Sequence, residues 1–245
     1  MTTLNSLDPL AVAVTEAIRT GDLAALRELL ADRPDLASAG ITEAEDSERA
    51  GTRSLLHIAT DWPGHYPRGP EVVALLVAAG ADPGARFVGA HTETPLHWAA
   101  SNNDVTAIDA LLKAGADIEA PGAVLGGGSP LTDACGFGQW RAARHLVERG
   151  ARVGLDEAAA LGLRDLVEEY VSENSGPDTD ALDRAFWSAC HGGQLETARR
   201  LRELGADLDR AGHDGMTPLD IARAQDADAV VAWLVGEGAR GATAG

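Results

Sequence analysis

Lysine is almost missing from this chain: Lys113 is the only one in 245 residues. Lysine and arginine together number 20 against 38 acidic residues, for a net charge of −18. A surface that tracks phosphates needs clustered Lys and Arg, so neither nucleic acid nor an anionic membrane surface is expected as a partner. The acidity favours solubility and leaves a basic partner open. Aromatics are scarce as well, at 4%: three Phe, five Trp and two Tyr. A stack of thin units, each packed on its neighbours through Ala and Leu, does without them. Two cysteines, Cys135 and Cys190, cannot supply a disulfide framework, and each falls where a small packing residue belongs. The longest apolar run, residues 72–81, is too short to span a bilayer. Residues 1–10 lack a basic region followed by an apolar core. A soluble cytoplasmic protein is expected.

Motifs for chemistry are also thin. There is no G-x-S-x-G. Cys190 and His191 are adjacent, and side chains at i and i+1 on a helix point apart. Gly126-Gly127-Gly128 lacks the Lys-Ser/Thr that a phosphate loop needs, and reads as flexibility at a hairpin base. His57, Asp61 and His65 are four apart, a spacing that suits a metal on a helix. Pro63-Gly64 should break that helix before His65. No metal and no cofactor are therefore expected.

What is present is repetition. Thr94-Pro95-Leu96-His97-Trp98-Ala99-Ala100 opens the clearest unit. Thr94 suits a helix N-cap, and Pro95 suits the first helical position, where no N–H is needed. Leu96 points inward, and His97 is short enough to bond backbone or a neighbouring turn. Ala99 and Ala100 let another helix approach. Val105, Ile108, Leu111 and Leu112 then form one apolar stripe of a second helix. Gly115-Ala116-Asp117 stops it, with Gly115 free to take the left-handed cap. This pattern resembles the ankyrin repeat, whose T-P-L-H-x-A signature recurs about every 33 residues. Residues 94–150 are also similar to bacterial ankyrin proteins. The resemblance implies an all-α ankyrin-repeat solenoid of about seven helix–turn–helix units with hairpin loops. It brings no particular activity with it.

Taken in order, the units of this single domain, 1–245, fall near residues 8–40, 50–86, 90–121, 126–153, 154–176, 180–211 and 213–240. The first is a divergent cap with helices over 9–20 and 22–31, followed by an exposed acidic loop, 41–50. The second has the weaker motif Ser54-Leu55-Leu56-His57 and an insert, 61–70, stiffened by Pro63, Pro67 and Pro70. The third and fourth open at Thr94 and Ser129, and the loops before them carry apolar tips: Phe87 and Val88, then Val124 and Leu125. The fifth is eroded and leads into a polar linker, 173–180. The sixth turns at Gly192-Gly193. The seventh restores Thr217-Pro218-Leu219, and residues 239–245 should fray.

By the resemblance, the residue after the His position and the two before the turn glycine face a concave groove. Units two to four then supply Asp61 and Trp62; Trp98, Ser101 and Asn102; and Asp133 and Phe137. Phe87 and Leu125 form the rim. Large aromatics flanked by carboxylates suit recognition of a protein or peptide partner. The alternative is a pocket closed by the insert and the hairpins, binding a small molecule or running acid–base chemistry through Asp133, Asp61 or His191. A third reading makes the aromatics a satellite core under the long hairpins. Oligomeric state is left open.

Overall fold

Side-chain caps written into the sequence set the starts of half of the α-helices among the described residues. The computed structural model describes residues 2–43, 51–172, 178–212 and 215–242. The expected loop at 44–50, the linker at 173–177 and the tail at 243–245 lie outside the described residues. The Cα positions group into two compact units, 1–151 and 152–245.

In the first unit, α1 (Pro9–Thr20) and α2 (Leu23–Asp32) are capped by Asp8 and Asp22, whose carboxylates accept from the first free backbone N–H groups. The pairs α3 (Leu55–Thr60) and α4 (Gly69–Ala78), α5 (Pro95–Ser101) and α6 (Val105–Lys113), and α7 (Pro130–Gly136) and α8 (Trp140–Glu148) follow. Helices α3, α5 and α7 pack in succession, as do α2, α4, α6 and α8. Their contacts are made by small and branched residues: Leu96, Ala99, Ala100, Leu131 and Ala134 are fully buried, as are Ile108, Leu111 and Leu146. Gly115 ends α6 with φ +93, a backbone that side chains resist.

The expected loop at 41–50 is in part a strand. Three strands, β1 (Thr3–Asn5), β2 (Gly40–Glu43) and β3 (Gly51–Ser54), form one sheet in the order β1-β2-β3. β2 runs parallel to β1 and antiparallel to β3. Ile41 is 2% exposed there, so its burial drives the pairing that the polar residues around it conceal. Thr52 also exchanges both backbone bonds with Val88, joining β3 to the hairpin before α5.

The second unit contains α9 (Leu155–Leu161) with α10 (Arg164–Ser172), α11 (Thr179–His191) with α12 (Leu195–Glu203), and α13 (Pro218–Ala224) with α14 (Asp228–Gly236). Its core is Phe186, Ala185, Ala189, Leu201, Ala222 and Leu234, all at 0% exposure. Helix α11 is 13 residues long where α9 and α13 have 7. It starts at the Asp178 cap, with no Thr-Pro opening.

Candidate functional site

The histidines that open the helix pairs of units two and three, His57 and His97, are structural. His57 and His97 are fully buried. Nδ1 of His97 accepts the Thr94 N–H at 3.1 Å, and its Nε2 meets the Gly128 carbonyl at 3.3 Å. His57 repeats this with the Ser54 N–H at 3.3 Å and the Glu93 carbonyl at 3.1 Å. Each ring therefore closes its own helix start and staples the following loop. Accepting at Nδ1 places the proton on Nε2, so the ring is neutral. Burial holds both rings down at about 4.

Trp98 and Phe87 join that arrangement. The Trp98 ring lies 4.9 Å from His57 and 5.6 Å from Phe87. A Cβ built on Gly51 would sit 2.4 Å from Phe87 Cζ, so the ring occupies space that only glycine leaves. Trp98 and Phe87 are half-buried, in a small aromatic core between β3, α3 and the hairpin. For these two the satellite packing considered from the sequence is what the geometry gives.

Trp62 and Phe137 are placed differently. They are 70% and 46% exposed, and neither ring contacts another among the described residues. Phe137 directly follows α7 and Trp62 stands one residue further beyond the end of α3, yet both hold one repeat position, which Asn102 fills in the unit between. Asn102 is committed: its Nδ2 donates to the Thr60 carbonyl at 2.7 Å, and its own carbonyl meets His65 Nε2 at 3.0 Å. The His65 N–H donates to Asp104 at 2.8 Å. The insert is thus clipped onto the unit that follows it. Ser101 donates to the His97 carbonyl. Leu125 is half-buried, its Cδ1 filling the place of a side chain at Gly136.

The carboxylates expected beside the aromatics do not line an open face. Asp61 is 8% exposed, and its Oδ2 is bridged by Arg19 at 3.0 Å and Arg53 at 3.1 Å. Its Oδ1 accepts the Trp62 N–H, so Asp61 fixes the backbone that carries the exposed indole. Asp133 is fully buried and accepts the Val124 N–H at 3.0 Å, tying down the hairpin tip. Burial, with the nearby Glu93 charge, pushes its carboxyl up to about 7. Its Oδ2 has no hydrogen-bond partner. His191 is 5% exposed in the second unit, beside Trp187, and burial lowers it to about 4. The flanking role expected of the two aspartates is corrected on this ground. Both side chains face inward: Asp61 is taken up by two guanidiniums and a backbone amide, whereas Asp133 serves a backbone amide and keeps one oxygen unpartnered.

Two contributors escaped sequence reasoning. Asn103 takes the left-handed turn at φ +57 and accepts the Ala142 N–H at 2.8 Å, capping α8 of the next pair. An Asn where other units have Gly was the available signal. Arg86 ties two hairpins together through the Thr92 and Pro121 carbonyls. Nothing in its surroundings marked that role.

A family model described as ankyrin repeats (3 copies) matches residues 68–157, and a second, ankyrin repeats (many copies), matches residues 166–235. No curated protein matches the sequence. Ankyrin repeats generally mediate protein–protein interaction. Two successive matches, set on helix pairs opened by the Thr94-Pro95-Leu96-His97 box and its variants at Ser54, Ser129 and Thr217 and ended by glycine stops, are decisive: the chain belongs to the ankyrin repeat family.

Proposed function

We propose that the first unit is a docking module that holds a protein or peptide partner on the face carrying Trp62 and Phe137. The observation that carries this reading is the split among the aromatics. Trp98 and Phe87 are packed away, while Trp62 and Phe137, at one repeat position, stay 70% and 46% exposed. Leaving an indole in water has a cost that burial against a partner recovers, and Trp is the residue most enriched among interface anchors. The net charge of −18 favours a partner segment with basic residues around its apolar anchor.

The test is a peptide-display selection against the full chain, followed by affinity measurements on Trp62→Ala and Phe137→Ala. Each substitution should weaken the selected peptides by roughly thirtyfold or more, about 2 kcal/mol, with unchanged circular dichroism. Peptides that bind the double variant as they bind the wild type would move the docking face elsewhere.

The pocket-enzyme alternative has one observation in its favour, the Asp133 carboxyl raised to about 7. It is the weaker reading because Asp133, Asp61 and His191 are 0%, 8% and 5% exposed, and a general acid must reach its substrate.

A further inference from the structure

The second unit contains a recess of about 290 Å³ that the docking face does not use. It is lined by Asp180, Asp183, Arg184 and Trp187 of α11, and by Arg210 and Gly212 of the loop before α13. It exists because α11 begins early, placing helical side chains where other units have hairpin loop. Asp183 is 4% exposed. Its Oδ1 accepts the Asp207 N–H at 2.7 Å, and among the described residues nothing donates to its Oδ2. That oxygen is reached by solvent rather than sealed off, so its donor comes from water in the recess or from a ligand that displaces it.

The rim carries two arginines, each paired with a carboxylate. Arg210 meets Asp180 through Nη2 at 3.2 Å, and Arg184 meets Asp156 through Nε at 3.4 Å. Each guanidinium spends one nitrogen on that pair and is more than half exposed, leaving donors for an incoming carboxylate. The Trp187 indole, on the same lining, is fixed in place. Its Nε1 donates to the Met216 carbonyl at 2.9 Å, and a Cβ on Gly212 would lie 2.6 Å from its ring.

We propose that this recess binds a zwitterionic α-amino acid, its ammonium donating to Asp183 Oδ2 and its carboxylate held by Arg184 and Arg210, with Trp187 as the apolar wall. An acceptor open to the recess, guanidinium donors on its lining and a fixed ring select for both charges on one small molecule. A bare amine or a bare acid satisfies only half of the site.

The experiment is calorimetric titration of the full chain with glycine, leucine, phenylalanine and arginine, beside N-acetyl-leucine and leucinamide. At least one free amino acid should bind with a Kd of roughly millimolar or lower, and each blocked form of leucine should bind about tenfold more weakly than leucine. Asp183→Asn keeps an oxygen for the Asp207 amide but offers no charge to an ammonium. It should weaken binding about tenfold. Arg210→Ala, at an exposed position, should do the same, and carries the test should Asp183→Asn fail to fold. No heat from any amino acid at about ten times that concentration would overturn the proposal. So would blocked forms that bind as well as leucine, or an Arg210→Ala variant that binds like the wild type.

Discussion

Helix α5 in the first unit and helix α11 in the second are each the first helix of a pair, yet they start and staple differently. Six residues before the left-handed turn residue, Asn103 in one and Gly193 in the other, stand His97 and Trp187. His97 Nε2 reaches the Gly128 carbonyl, and Trp187 Nε1 reaches the Met216 carbonyl. The position therefore asks for a ring N–H that reaches the next loop, and either ring provides it. Only His97 also accepts at the other nitrogen, because α5 begins at Pro95 and leaves the Thr94 N–H without a helical partner. In α11 the equivalent residue, Arg184, is already inside a helix that starts at Thr179, so an indole suffices. An imidazole titrates and an indole does not. The same architectural task is pH-sensitive in one unit and indifferent in the other.

The comparison can be broken first at the packing level. Leu111 is fully buried, and Leu111→Ala should cost about 2–5 kcal/mol. Trp98→Ala should cost as much, about 3–5 kcal/mol, since its ring packs on His57 and Phe87. Urea midpoints give both values. A Trp98→Ala loss near zero would make Trp98 an open-face residue, as Trp62 is.

The staples themselves give a smaller effect with a sharper signature. His97→Phe and Trp187→Phe each leave a carbonyl without its ring donor and should cost about 1–3 kcal/mol at pH 7.5. The His97 ring, neutral in the fold with a value near 4, takes up its proton near 6.5 once unfolded. Between those values the unfolded chain binds more protons. The contribution of His97 is thus complete above pH 6.5 and drains away as pH falls towards 4. The cost of His97→Phe should shrink across that window, and the cost of Trp187→Phe should stay constant. Parallel shrinkage in both would show that something other than the ring sets the pH response.

The smallest expected difference is local. Helix α10 buries only Val167, whereas α6 buries Ala107, Ile108 and Leu111. Amide exchange should be faster over α9 and α10 than over α5 and α6. Equal protection would mean that the eroded repeat is as firmly held as the clearest one.

Much of the fold was legible because repetition multiplies weak signals. Thr94-Pro95, the glycine stops and the stripe at Val105, Ile108 and Leu111 agree with one another at every level. Strand β2 was hidden because four residues with one buried Ile do not make a pattern. Of the candidate site, the repeat position shared by Trp62 and Phe137 followed from the spacing. The inward aspartates did not, since Asp133 stands where Trp98 stands in the unit before, and only the hairpin folding over it decides which way it is served. Trp187 passed unnoticed as a staple because a sequence template looks for histidine there, while the physical requirement is a donor.

The small sheet has a consequence for how the chain behaves outside its own fold. β3 is followed at once by α3, and its two sides are taken by β2 and by the Thr52–Val88 bridge. Residues 3–43, though outside the best-matched repeats, thus cover a row of backbone groups that would otherwise invite a strand from another molecule. The outermost strand, β1, is three residues long, too short to template much pairing of its own. Shortening the chain to its regular repeats would uncover that row of N–H and C=O groups to an incoming strand.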